Sequence, residues 1–195
     1  MDYTQKLGDF FTPDLLRQKL ITASVFIAVY ENFKSAIVDN VKYFYCNGVN
    51  EGEEQFKGYD EAVLSKVDSK KNRQIRATLL WYNEHGAISE QDIKQFKKMT
   101  DLRNALGHDM LNKIFDGLPE NILDVYFEMI ELFTKITRWW INEIEIPISG
   151  NFTLDEYNTI ACDDVTSVNL EFIKIMTDVA FTGNEKYLES LHQEK

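Results

Sequence analysis

Residues 13–46 contain neither glycine nor any proline after Pro13 itself. Such a stretch reads as one helix of roughly 50 Å at about 1.5 Å per residue. Thr12 suits the N-cap, Pro13 the first helical position, and Asp14 the positive end of the helix. Asn47-Gly48 supplies the stop. Phe26, Tyr30, Phe33, Ile37 and Val41 recur at helical spacing and predict the buried stripe. Ser24, Glu31, Asn32, Ser35, Asp39 and Lys42 gather on the opposite side. A helix of this length can form the spine of a bundle with other helices.

The rest of the chain supplies them. Three Pro and nine Gly are too few for a strand-rich fold. After a polar stretch at 52–58, a short amphipathic segment covers 59–67. A helix is expected over 69–85, capped by Asp68 and stopped by Gly86. Ser89 and Asp92 stand at capping-box spacing, flanked by Ile88 and Ile93, and start a helix running to about Leu106. Pro119 opens another that lasts to Pro147, with Ile122, Val125, Met129, Phe133, Ile136 and Trp140 on its apolar face. Thr153 and Glu156 form a further capping box, and 164–181 reads as the last substantial helix, stopped by Gly183. The expectation is an all-α bundle over 1–147 with a helical C-terminal extension over 148–195 packing on the same domain.

Composition narrows the class. At 44% hydrophobic and 27% charged, the chain can bury enough apolar surface to offset its ordering entropy. The longest uninterrupted apolar run, 25–30, is too short to cross a bilayer, and the first residues lack a signal-peptide pattern. Cys46 and Cys162 are too few for a disulfide framework or a zinc knuckle. These features predict a cytoplasmic protein without a membrane partner. A net charge of −11 argues against a general nucleic-acid binder. The charge is uneven, however: residues 66–103 hold nine basic and five acidic side chains, whereas 104–195 hold six and seventeen. Lys70, Lys71, Arg73 and Arg76 are therefore the candidate anion-binding residues, although a solvated helix face is the commoner origin of such a run.

Few residues offer chemistry. Glu189 and His192 have the Glu-x-x-His spacing of a carboxylate-bridged metal pair, but no second copy exists to complete one, so neither metal nor cofactor is expected. Trp139-Trp140 could stack bases, yet an aromatic pair at helical spacing is more often core. What remains is Arg103-Asn104-Ala105-Leu106-Gly107-His108: a permanent cation, a neutral amide and a titratable imidazole within six residues. Asn104 and His108 share a face if the helix continues, and Gly107 leaves room beside His108. The plainer alternative has Arg103 paired with an acid, Asn104 on the surface, Gly107 ending the helix and His108 incidental.

Arg103-Asn104-x-x-x-His108, late in a helix of an all-α bundle, resembles the signature of the HEPN superfamily. That signature is Arg, four to six residues, then His, with a polar residue commonly following the Arg. The resemblance spans about 12–147 and implies a metal-independent endoribonuclease, of toxin or defence type, with its site at a homodimer cleft. His108 would act as general base on the ribose 2′-OH, Arg103 would hold the phosphate, and Asn104 would orient one or the other. The products would carry 2′,3′-cyclic phosphate ends. An antitoxin protein is a possible second partner beside RNA. Some family members carry a Tyr two residues after the His, which a partner modifies; Met110 stands there in this chain. Many members are catalytically silent interaction or nucleotide-binding modules, the alternative that the acidity favours.

Overall fold

A computed structural model describes residues 3–50, 53–68, 70, 72–150 and 165–181. The helices are α1 (Tyr3–Phe11), α2 (Pro13–Phe44), α3 (Lys57–Ala62), α4 (Arg73–Glu84), α5 (Glu90–Asp116), α6 (Ile122–Trp140), α7 (Ile146–Ser149) and α8 (Val168–Phe181). Among the described residues, the other regular elements are a 3₁₀ turn at Leu64–Lys66, a π-helical segment at Ile141–Glu145 and an antiparallel pair of two-residue strands, β1 (Val49–Asn50) and β2 (Glu53–Glu54). The fold is an all-α helical bundle, as expected.

The described residues belong to two compact units. One takes residues from 1–30, 97–130 and 166–195, the other from 31–96 and 131–165, so α2, α5 and α6 each contribute to both. In the first unit, Phe26, Val29, Leu106, Met129, Leu170 and Ile173 are buried, and Tyr30 shares a 2.9 Å hydrogen bond with Thr100. Helix α8 is tied in by a 2.6 Å hydrogen bond between the Tyr126 and Thr177 hydroxyls and by Phe181 against the Tyr126 ring. In the second unit the Phe33 ring stacks on Phe133 at 4.7 Å and meets Phe96 edge-on at 5.4 Å. Trp81 is enclosed by Phe44, Tyr45, Tyr82, Trp139 and Trp140, and its indole N–H donates to the Tyr45 hydroxyl at 3.0 Å. Trp139 and Trp140 are thus packing residues.

Every residue expected on the apolar stripes of α2 and α6 is buried. The ends of the helices differ more. Thr12 does not cap α2 with its side chain; its hydroxyl donates to the Gly8 carbonyl at 2.9 Å and joins α2 to α1. Helix α1 was not expected from the sequence, although Asp2 and Gln5 stand at capping-box spacing at its start. It is held by the Tyr3 and Phe10 rings against Phe115 and by a 2.6 Å ion pair between Lys6 and Asp116, which also keeps the Asp116 carboxyl below its usual range. Helix α4 begins at Arg73 rather than 69, and Asp68 does not cap it. Its N-cap is Asn72, in the left-handed region at φ 53°, a conformation that Asn tolerates better than most residues. The Arg73 Nε holds that start by donating to the Leu64 and Val67 carbonyls at 3.1 and 2.9 Å.

Pro147 does not stop the helical path from α6. The π-helical segment precedes it and α7 follows. Pro147 falls in the first turn of α7. The wider turn upstream relieves the clash its ring would have with the carbonyl four residues back. Asn142, buried in that segment, donates its amide to the Arg138 carbonyl at 2.8 Å. Gly150, at φ 66°, ends the path. Helix α8 starts at Val168, later than the expected 164, where the Ser167 hydroxyl accepts the Leu170 N–H at 3.3 Å. The expected capping box of Thr153 and Glu156, the Gly183 stop, Cys162, and the Glu189–His192 pair lie outside the described residues.

By length and composition, α2 is also apolar enough over part of its length to cross a membrane, which the short run 25–30 did not suggest. Of that stretch, 39% is buried inside the protein. The same apolar side chains form the stripe that packs against the other helices.

The capping box at the start of α5 forms as predicted. The Ser89 N–H donates to Asp92 at 2.7 Å, the Asp92 N–H donates to the Ser89 hydroxyl at 3.2 Å, and Lys135 of α6 reaches the same carboxylate at 2.7 Å. Burial pushes the Asp92 carboxyl up, but the Lys135 and Ser89 hydrogen bonds outweigh it and hold it below its usual range. A depressed carboxyl stabilises the fold above its unfolded pKa, near 4, and loses that contribution as pH falls through its lower folded value. Asp92→Asn should therefore lower stability by roughly 0.3–1 kcal/mol at pH 7. Thermal melts of both proteins from pH 7 down to 3 should show the gap narrowing at the acid end.

Candidate functional site

Arg103, Asn104 and His108 all lie on α5, within the first unit. The backbone stays helical through Gly107, so the condition for Asn104 and His108 to share a face is met. Gly107 does not end the helix. The break falls at Asp109, whose φ of −141° and ψ of 37° are non-helical, one residue beyond the imidazole. Asp prefers helix starts because its short carboxylate competes for nearby donors. Here that carboxylate accepts from the Asn112 side chain at 2.5 Å, and the helix resumes to Asp116, beyond the expected end near Leu106.

The three side chains differ in setting. Leu106 is buried and fixes the inward face, while Gly107, His108 and Asp109 are exposed and Arg103 and Asn104 half-buried. The Arg103 Nη1 donates to the Asn104 Oδ1 at 3.3 Å. The same Nη1 lies 3.6 Å from where a Cβ on Gly107 would stand. The guanidinium therefore lies along the helix over the glycine, between the amide and the residue preceding His108. The arrangement sets a fixed cation and an amide on a stretch of helix that ends in a solvent-reached imidazole. These groups can bind an anion and accept a proton.

The basic residues belong to the second unit. Lys70 and Arg76 are exposed. Arg73 is exposed too, but its Nε is committed to the Leu64 and Val67 carbonyls, so it braces the start of α4. Lys71 lies outside the described residues. Lys66 pairs with Glu84, and Glu31 with Lys34 at 3.6 Å. No group of side chains suited to holding a metal ion occurs among the described residues.

Sequence reasoning also passed over His85. Its Nδ1 lies 2.7 Å from the Trp81 carbonyl, and its ring stacks on the Trp81 indole at 4.0 Å. It sits at the C-terminus of α4, where the spacing of four residues from Trp81 was the available signal. No family model, curated protein or solved structure matches the chain.

Gly107 allows a direct test of whether the motif needs its missing side chain. The backbone is helical and the space around a Cβ is that of ordinary contact. Gly107→Ala should raise stability by roughly 0.5–1 kcal/mol through helix propensity alone. A lower melting temperature in the alanine variant would mean that the Arg103 guanidinium cannot give way.

Proposed function

We propose that the chain is a metal-independent endoribonuclease of the HEPN type, a cytoplasmic homodimer of toxin or defence character. The observation that supports this most is the continuous helix through Gly107, which aligns Asn104 with an exposed His108 and lays Arg103 alongside. In this reading His108 takes the proton from a ribose 2′-OH as the oxygen attacks the adjacent phosphorus. The bond from phosphorus to the 5′ oxygen breaks, and that oxygen leaves with a proton from water. A 2′,3′-cyclic phosphate and a 5′-OH remain. Arg103 stabilises the charge developing on the phosphate oxygens, and Asn104 positions the guanidinium through the hydrogen bond it accepts.

The second reading is a catalytically silent module that binds a partner protein, such as an antitoxin, or a nucleotide. The six basic and seventeen acidic residues of 104–195 favour it, because such a surface repels RNA. Incubating the purified protein with total RNA in EDTA and assaying for cyclic-phosphate ends separates the readings.

His108→Ala should leave the melting temperature nearly unchanged, since exposed substitutions usually fall within about 0.5 kcal/mol. Cleavage should fall by roughly two to four orders of magnitude. Arg103→Lys should also cleave poorly, because an ammonium lacks the planar fork that matches phosphate. A destabilised His108→Ala beside a wild-type protein that cuts no RNA would assign the motif a structural role.

RNA affinity should fall steeply with salt. Replacing Lys70 and Arg76 together with Ala should flatten that dependence by roughly 0.7 in log–log slope for each phosphate no longer neutralised. Arg73 is left intact in this variant because it holds the start of α4. An unchanged slope would remove these two side chains from the RNA path.

A further inference from the structure

Asp101 lies on α5 seven residues before His108, within the same unit. At 3.6 residues per turn that spacing is close to two turns, so both residues share one face, roughly 10 Å apart along the axis. Asn104 stands between them on that face. The backbone is helical throughout, since the break comes only at Asp109. Asp101 and His108 are both exposed, and among the described residues neither makes a hydrogen bond or an ion pair. Lys97 and Lys98, four and three residues before Asp101, are exposed as well and leave its carboxylate unpaired. That carboxylate is free to meet whatever lies along this face.

On the nuclease reading above, on which this inference rests, a single strand of RNA lies there. An ionised carboxylate accepts hydrogen bonds and repels phosphate. It therefore has to meet donors, which RNA carries on its 2′-hydroxyls and base edges. Guanine presents two adjacent donors on its pairing edge, N1–H and the N2 amino group, which the two oxygens of one carboxylate accept side by side. Adenine and cytosine set an amino group beside an acceptor nitrogen, and uracil sets one N–H between two carbonyls. Each of these would turn a lone pair towards the second carboxylate oxygen. Two helical turns also match in scale the span from a ribose 2′-oxygen to the outer edge of its own base, with a hydrogen bond at each end. When that oxygen meets His108, its base reaches Asp101. Lys97, Lys98 and Arg103 outnumber the carboxylates of Asp101 and Asp109 along this stretch, so the strand is not turned away.

We propose that Asp101 sets the base specificity of the site by reading the pairing edge of a guanine in single-stranded RNA. The guanosine it holds is the nucleotide whose 2′-OH faces His108, so cleavage falls on the 3′ side of guanosine. Asp101 touches the base alone, and the chemistry stays with His108 and Arg103.

The test uses the full chain and oligouridylates carrying one guanosine, adenosine, cytidine or inosine, with the uridines as internal reference. Cleavage after guanosine should exceed cleavage after adenosine, cytidine or uridine by roughly tenfold or more, the discrimination of a bidentate base contact. Inosine keeps N1–H but lacks the N2 amino group, and should fall between. Asp101→Asn should cut the guanosine preference by roughly tenfold while leaving the rate at uridine within about threefold. Lost stability or altered net charge would not change that ratio. Circular dichroism checks folding, and Asp101→Ser stands in if the asparagine variant unfolds. Cleavage by the wild type without a guanosine preference, or with one that the variant keeps, overturns the inference and leaves the nuclease reading standing. A wild type that cuts no RNA ends the nuclease reading. Fluorescence anisotropy on the same oligonucleotides then decides the inference by itself: tighter guanosine binding that Asp101→Asn removes supports it, and equal binding overturns it.

Discussion

Helix α2 carries large apolar side chains along most of its length, and each must leave water. Phe26 and Tyr30 do so in one compact unit, and Phe33, Ile37 and Val41 in the other. At roughly 25 cal/mol for each Å² of apolar surface removed from water, burying one such ring stabilises by about 1.5–3 kcal/mol. The long helices α5 and α6 share with α2 the task of lining both cores. The Phe33 contacts with Phe96 and Phe133 show the result: one ring from α2, one from α5 and one from α6 meet in a single cluster.

That packing is what positions the candidate site. Leu106 and Met99 anchor α5 inward, so the turn after Leu106 presents Gly107 and His108 to solvent. The helix passes through the glycine next to the buried Leu106 and breaks at Asp109, whose carboxylate accepts from Asn112. The Arg103 guanidinium lies beside Gly107, where a Cβ would make only ordinary contact with it, and hydrogen-bonds Asn104.

Helix ends were the least readable part of the chain. Asp68 and Thr12 have good capping side chains, yet Arg73 and the Gly8 carbonyl decide what happens there. Pro147 is tolerated because the backbone widens just before it. Helix α1 docks through Phe115 and Asp116, residues more than a hundred positions away in the chain. The Ser89–Asp92 box, in contrast, was fully readable, because both partners and both donors lie within one turn of each other.

Sequence alone determined the all-α class, the buried stripes of α2 and α6, and the presence of the Arg103, Asn104 and His108 set. All of these depend on spacings of three or four residues, which helical geometry converts directly into shared faces. Tertiary structure decided that α5 runs on past Gly107 and that Arg73 is a brace rather than a spare cation. It also decided that α8 keeps a second apolar face outward. Each of those outcomes turns on which distant groups a side chain meets, and periodicity along the chain carries no record of that.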